Sequence, residues 1–354
     1  MKKRVIAVLM AAMAALPLSA CGGGASTASA AGNAGELNLF IWTEYVPDAV
    51  IEQFEEETGI QVNVSTFSSN EDMLAKVRSE EEGAYDIVQP SDYMVQQMIA
   101  NDMLEELDQE QLTNLGNIGE AYLDPSYDPG NVYSVPYLGG VVAIGVNTDR
   151  ITDEITGYDD LFNPAYADTT VVLDDTRAII GVTERSMGLS MNESDPDTLA
   201  EVQTKLLSWK PNIKLYDSDS PKSALISGDC TIGVAWSAEI ALAMDENPAI
   251  EIVYPEEGAY KFIDNWTVPK GAKNYDNAMK FINYMLEAET GQAVAQEFPY
   301  LNPNAAAIEL MDEEYRNNIA KNVPQEVIEN AEFVENLDTD TLAILDQMWT
   351  ELKK

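Results

Sequence analysis

The chain has 354 residues, 20 of them basic and 61 acidic, a formal charge of -41 and no histidine. Without histidine there is no Ser-His or Cys-His catalytic pair and no histidine-ligated metal site. The acid excess argues against nucleic acid as a partner, because phosphates need a basic surface. A mean hydropathy of -0.19 excludes a polytopic membrane protein, and the length suggests about two domains with a real core in each.

Lys2, Lys3 and Arg4 precede an apolar run from Val5 to Leu16, too short to span a bilayer. This reads as an export signal over residues 1–20. Leu18-Ser19-Ala20-Cys21 resembles the lipobox of bacterial lipoproteins. That resemblance implies cleavage before Cys21 and a lipid on its thiol. Losing the three basic residues would take the formal charge from -41 to -44. Residues 22–35, all Gly, Ala, Ser, Thr or Asn, read as a flexible tether with a mean span of roughly 20 Å. With Cys21 lipidated, Cys230 has no intramolecular partner and reads as a small core residue.

From Glu36 onward, strand and helix signals alternate. Residues 37–42 form a strand, and a helix runs from Pro47 to the closing Gly59. Ile60, Val62 and Val64 alternate as a half-buried strand. A helix follows over 71–80 with Ser69 or Asn70 as cap, then a strand over 85–88 and a helix capped by Ser91-Asp92. The second half continues with strands at 170–173, 213–216, 231–236 and 250–254. Helices are expected from Pro196 to about Trp209, over 220–226 and over 273–286, and the chain after Tyr300 reads as helical to its end. This order implies parallel sheets covered by helices. No linker divides the chain, which suggests two lobes joined by strands that cross between them.

The sequence has no phosphate-binding loop, dinucleotide fingerprint, nucleophile elbow or EF-hand, and no cofactor or metal is implied. Instead, aromatics recur beside a carboxylate or hydroxyl at predicted strand ends: Trp42-Thr43-Glu44-Tyr45, Ser91-Asp92-Tyr93, Trp236-Ser237 and Phe262-Ile263-Asp264. Asp174-Asp175 lies at another strand end, and Tyr300 lies in Pro299-Tyr300-Leu301-Asn302-Pro303. Ligands of open α/β sheets bind beyond the carboxyl ends of strands, so these residues are expected to converge on a cleft. Aromatic faces attract cations and cover methylene stems, and carboxylates bind ammonium groups. A linear polyamine satisfies both demands.

Trp42-Thr43-Glu44-Tyr45-Val46-Pro47, FEEETG at 54–59, Gly83-Ala84-Tyr85-Asp86, Pro90-Ser91-Asp92-Tyr93, AIGVN at 143–147 and Asp174-Asp175-Thr176-Arg177 together resemble the spermidine/putrescine-binding proteins of bacterial polyamine ABC importers. The resemblance covers nearly all of 36–350. It implies an α/β, two-lobe type II periplasmic-binding-protein fold with a hinge of crossing strands and a ligand cleft between lobes. The lobes are expected over 36–140 plus 265–308 and over 141–264 plus 309–354. It also implies that Trp42, Tyr45, Tyr93, Trp236 and Tyr300 line the polyamine chain, with Phe262 where the family has a Trp. Thr43, Glu44, Ser91 and Ser218 would add polar contacts, and Asp175 and Asp264 would hold the ammonium groups.

The chain departs from the family at Ala178, where its best-known members carry a second acid, and at Val334 or Glu335, where they carry a Gln. These departures lead us to expect a preference for putrescine, or a relaxed one. The expected role is a monomeric, lipid-anchored receptor outside the cytoplasm, in the periplasm if the organism has an outer membrane. It would serve a membrane permease and ATPase and catalyse no reaction. The competing readings are a receptor for an oligosaccharide, thiamine or ferric iron, and a secreted carboxylate-pair hydrolase.

Overall fold

The computed structural model describes residues 35–354. The export signal, Cys21 and all of the tether but Gly35 lie outside the described residues. The described chain opens with β1 (Glu36–Trp42), whose Leu37, Leu39, Phe40 and Ile41 are buried. Helix α1 (Asp48–Thr58) follows Pro47 and buries Val50 and Phe54 one turn apart. Gly59 ends it at φ 72°, a left-handed cap suited to glycine, and donates to the Glu55 carbonyl. β2 (Gln61–Phe67) pairs in parallel with β1. It is an edge strand: the expected alternation holds at buried Ile60 and half-buried Val62, but residues 63–66 are exposed and Val64 faces solvent.

Ser69 caps α2 (Asn70–Ser79) by accepting from the Asp72 N–H. β3 (Ile87–Val88) is shorter than expected. Asp86, buried, leaves the strand to accept from the backbone N–H groups of Asn38 and Asn274. α3 (Asp92–Ala100) follows. Ser91 precedes it without capping it, because its hydroxyl is used elsewhere, as described below.

β4 (Ser134–Asn147) is buried at every position. The second half of the chain brings β5 (Thr170–Val172), α4 (Thr176–Arg185), α5 (Pro196–Trp209), β6 (Ile213–Tyr216), α6 (Lys222–Ser227), β7 (Ile232–Trp236), α7 (Ser237–Glu246) and β8 (Ile250–Val253). β9 (Tyr260–Thr267) and α8 (Tyr275–Met285) follow. The chain after Tyr300 is not one helical run. It breaks into short helices around Pro303 and Pro324, forms β10 (Glu332–Phe333), and only Thr339–Lys353 makes a long helix.

The strand order is β2-β1-β3-β9-β4-β7-β5-β6. β4 belongs to both sheets. Its first part pairs antiparallel with β9, from Ser134 opposite Thr267 to Val141 opposite Lys261. Its second part pairs antiparallel with β7 and β8. β1, β2 and β3 are parallel on one side, and β5, β6 and β7 on the other. β9 also pairs with β3 at Thr267 and with β10 at Tyr260 and Lys261. Gly139 permits this crossing: a Cβ there would lie 2.5 Å from the Phe262 carbonyl, so only glycine lets β9 pass so closely.

Candidate functional site

The carboxyl ends of β1, β3, β5 and β7 and the middle of β9 converge on one cavity of about 610 Å³, part of it open to solvent. Eleven of the twelve expected site residues line it: Trp42, Thr43, Glu44, Tyr45, Ser91, Asp175, Ser218, Trp236, Phe262, Asp264 and Tyr300. Tyr93 does not. Its hydroxyl donates to Glu71 2.9 Å away, and the Arg177 guanidinium sits 5.8 Å from its ring centre, outside the cavity.

The turn after β1 sets one wall. Trp42 ends the strand and packs on Phe67, ring centres 4.5 Å apart. Glu44 adopts φ 52°, a left-handed conformation that costs a non-glycine residue about 1 kcal/mol or more. This bend leaves Thr43 and Glu44 exposed at the rim and returns Tyr45 to the interior. The Tyr45 ring meets Tyr300 edge-on at 4.9 Å. On the opposite wall Trp236, at the end of β7, meets Phe262 edge-on at 5.0 Å. The Trp236 indole N–H donates to the Ser218 carbonyl at 3.1 Å, while the buried Ser218 hydroxyl has no hydrogen-bond partner among the described residues.

Asp264 is the buried centre, 3% exposed. It lies in mid-strand on β9, not at a strand end as expected. Tyr45 donates its hydroxyl to one carboxylate oxygen at 2.6 Å, and Ser91 to the other at 2.5 Å. Ser91 is itself fixed by Asn70, whose side-chain amide donates to its hydroxyl and accepts from its N–H. Burial raises the Asp264 pKa to about 7, although Ser91, Tyr45 and Trp42 favour the charged form. Trp42 acts by proximity, since its N–H reaches no acceptor in hydrogen-bond geometry. No basic side chain pairs with Asp264 among the described residues. Asp175, half-buried, caps α4 by accepting from the Ala178 N–H at 2.8 Å. Burial raises its pKa, opposed by that N–H and by Arg177.

Ser68, Asn70, Asp219, Glu239 and Tyr260 also line the cavity but were not anticipated. Strand parity was a usable signal for one of them: Tyr260, Phe262 and Asp264 alternate along β9 and share a face. Glu239, in the first turn of α7, and Asn70, a cap candidate, carried no comparable signal. Neither Val334 nor Glu335 lines the cavity. The Glu335 carbonyl accepts from Arg177. Ala178 is fully buried and adds no acid. Cys230 is buried just before β7, and burial pushes its thiol up to about 11, consistent with an inert core residue.

No helix among the described residues is long and apolar enough to cross a membrane. The family of bacterial extracellular solute-binding proteins matches residues 49–323. The chain belongs to that family. The spermidine/putrescine-binding periplasmic protein of Salmonella typhimurium is 36% identical over 331 residues, covering 93% of this chain and 94% of its own. The spermidine/putrescine substrate-binding protein PotD of Streptococcus pneumoniae superposes with a TM-score of 0.78 at 34% identity, over 90% of this chain and 98% of its own. The TpPotD lipoprotein of Treponema pallidum superposes with a TM-score of 0.80 at 26% identity, over 90% and 99%. The two sheets are thus the two lobes of a type II periplasmic-binding-protein fold. β4, paired in both sheets, is a strand that crosses between them.

Proposed function

We propose that this protein is a lipid-anchored receptor outside the cytoplasm that captures a linear polyamine, putrescine or spermidine. It would pass that ligand to the permease and ATPase of an ABC importer. The names of its relatives support the ligand class. The observation that carries the reading is Asp264: a buried carboxylate with two hydroxyl donors, aromatic surroundings and no paired cation among the described residues.

A buried acid held near pKa 7 is only partly ionised. An arriving ammonium completes it through a charge-assisted hydrogen bond. Trp42, Trp236, Phe262 and Tyr300 then offer faces to the methylene stem and its charges, worth about 0.5–2 kcal/mol per cation–π contact. Asp175, at the end of β5, receives the other ammonium. A neutral sugar would leave Asp264 without a counter-charge. The surplus of acids on the chain speeds the encounter with a polycation.

The lobes we assign are 36–140 with 265–308, and 141–264 with 309–354. The ligand draws them together because it touches both and so binds the closed form more tightly. The mature chain acts as a monomer, is anchored through Cys21, uses no cofactor and performs no covalent chemistry. Calorimetry with putrescine, spermidine and spermine beside maltose, thiamine and ferric citrate tests the reading. Heat with at least one polyamine and none with the other solutes is expected; the reverse pattern would refute it.

A further inference from the structure

None of the residues lining the cavity is basic, yet a cation reaches its acids from behind. The Lys222 ammonium, at the start of α6, lies 3.0 Å from Glu44 and 2.9 Å from both oxygens of Glu239. Glu44 follows β1 in one lobe; Lys222 and Glu239 belong to the other. The Glu239 side chain is 4% exposed and that of Lys222 18%, so this pair is largely withdrawn from water. Burial pulls the Lys222 pKa down, but Glu239 and Glu44 outweigh it and hold the ammonium charged.

Five carboxylates line the cavity: Glu44, Asp175, Asp219, Glu239 and Asp264. Lys222 takes Glu44 and Glu239, and Asp219 is exposed at the mouth. Asp175 and Asp264 are left as the inner acids without an ion pair. Resting on the polyamine reading above, we propose that Lys222 is a built-in ammonium that, from behind the cleft, neutralises the acids a third ligand ammonium would need and so makes the cleft select a diamine over a triamine. Two ligand ammoniums find two unpaired acids. A third would meet Lys222 as a like charge, and the acids beside it would already be taken. Lys222 does not yield its place easily, because leaving would strand a buried carboxylate.

The test is calorimetry of the wild-type protein, Lys222→Met and Lys222→Arg with putrescine and spermidine. Wild type is expected to favour putrescine by about tenfold or more. Lys222→Met should tighten spermidine by about tenfold while changing putrescine by less than about threefold; Lys222→Arg should keep the wild-type ratio. Lys222→Gln, which still offers an N–H to Glu239, repeats the test if the Met variant fails to fold. A wild-type preference for spermidine would overturn the proposal. So would a Met or Gln variant that shifts both ligands equally, since a merely structural lysine would behave that way. Wild-type protein that binds no polyamine would instead overturn the polyamine reading, and this inference with it.

Discussion

The two ends of the cleft bury the same chemical group in opposite states. At the α6–α7 end, Glu239 is buried but has Lys222 at 2.9 Å. At the β9 end, Asp264 is equally buried but among the described residues has only neutral donors, Tyr45 and Ser91. Burial raises the pKa of both, and at Glu239 the lysine opposes the rise. On the readings proposed above, the contrast separates two roles. A carboxylate whose cation comes from the same chain is already neutralised and limits what the cleft accepts. One whose hydrogen bonds are arranged but which has no paired cation among the described residues is the proposed ligand anchor.

The sharpest way to break this contrast is to remove the waiting charge. Asp264→Asn keeps the size of the side chain but leaves the ligand ammonium without its partner. Affinity for putrescine should fall by about 3–5 kcal/mol, about two to four orders of magnitude in Kd by calorimetry. An unchanged Kd would place the site elsewhere.

Acidity should weaken binding next most strongly. Asp264 releases its proton when an ammonium binds, so affinity should drop by up to about tenfold per pH unit below about 7. Calorimetry at pH 5.5 in buffers of different ionisation heat should show that proton being released. The ligand-free protein should respond in the opposite sense. Asp264 and Asp92 are raised by burial from 3.8 to about 7, and Glu184 from 4.5 to about 8. The folded chain therefore binds more protons than the unfolded one between about pH 4 and 7, and its stability declines as pH rises through that window. Its Tm at pH 5 should exceed that at pH 8. A ligand-free Tm that rises over this range would contradict the assignment.

Asp175→Asn should cost less, about tenfold in Kd, because the site is half-buried and partly solvated. Asn still caps α4, so the Tm should hardly move. Trp236→Leu should be mildest, removing about 1 kcal/mol of cation–π attraction while keeping an apolar wall.

Much of the fold was legible from local signals. Pro47 and Gly59 bracket α1, Pro196 opens α5, and β6 spans its expected residues. β4 and β9 were not located, although crossing strands were expected. β4 is buried from end to end and shows no alternation, and its partner lies more than a hundred residues away. β2 was misjudged at Val64, which continues the alternation of Ile60 and Val62 in the sequence but, on an edge strand, is left in solvent. In the site, the strand-end rule matches Trp42, Trp236 and Asp175, whereas Phe262 and Asp264 reach the cavity from the middle of β9. Ser91 looked like a helix cap, and only the approach of β9 shows that its hydroxyl serves Asp264. Tyr93 was singled out both by its place beside Ser91-Asp92 and by family resemblance, and here its hydroxyl is taken by Glu71. Lys222 was invisible because a lysine opening a short helix looks like a solvated one until Glu44 and Glu239 are brought to it.

A crystal structure of the protein grown with putrescine bears most directly on Asp264 as the ligand's anchor. One terminal nitrogen should lie within about 3 Å of an Asp264 oxygen, with the carbon chain between Trp236 and Tyr300. A diamine bound outside this cleft, or one presenting only methylenes to Asp264, would contradict the account.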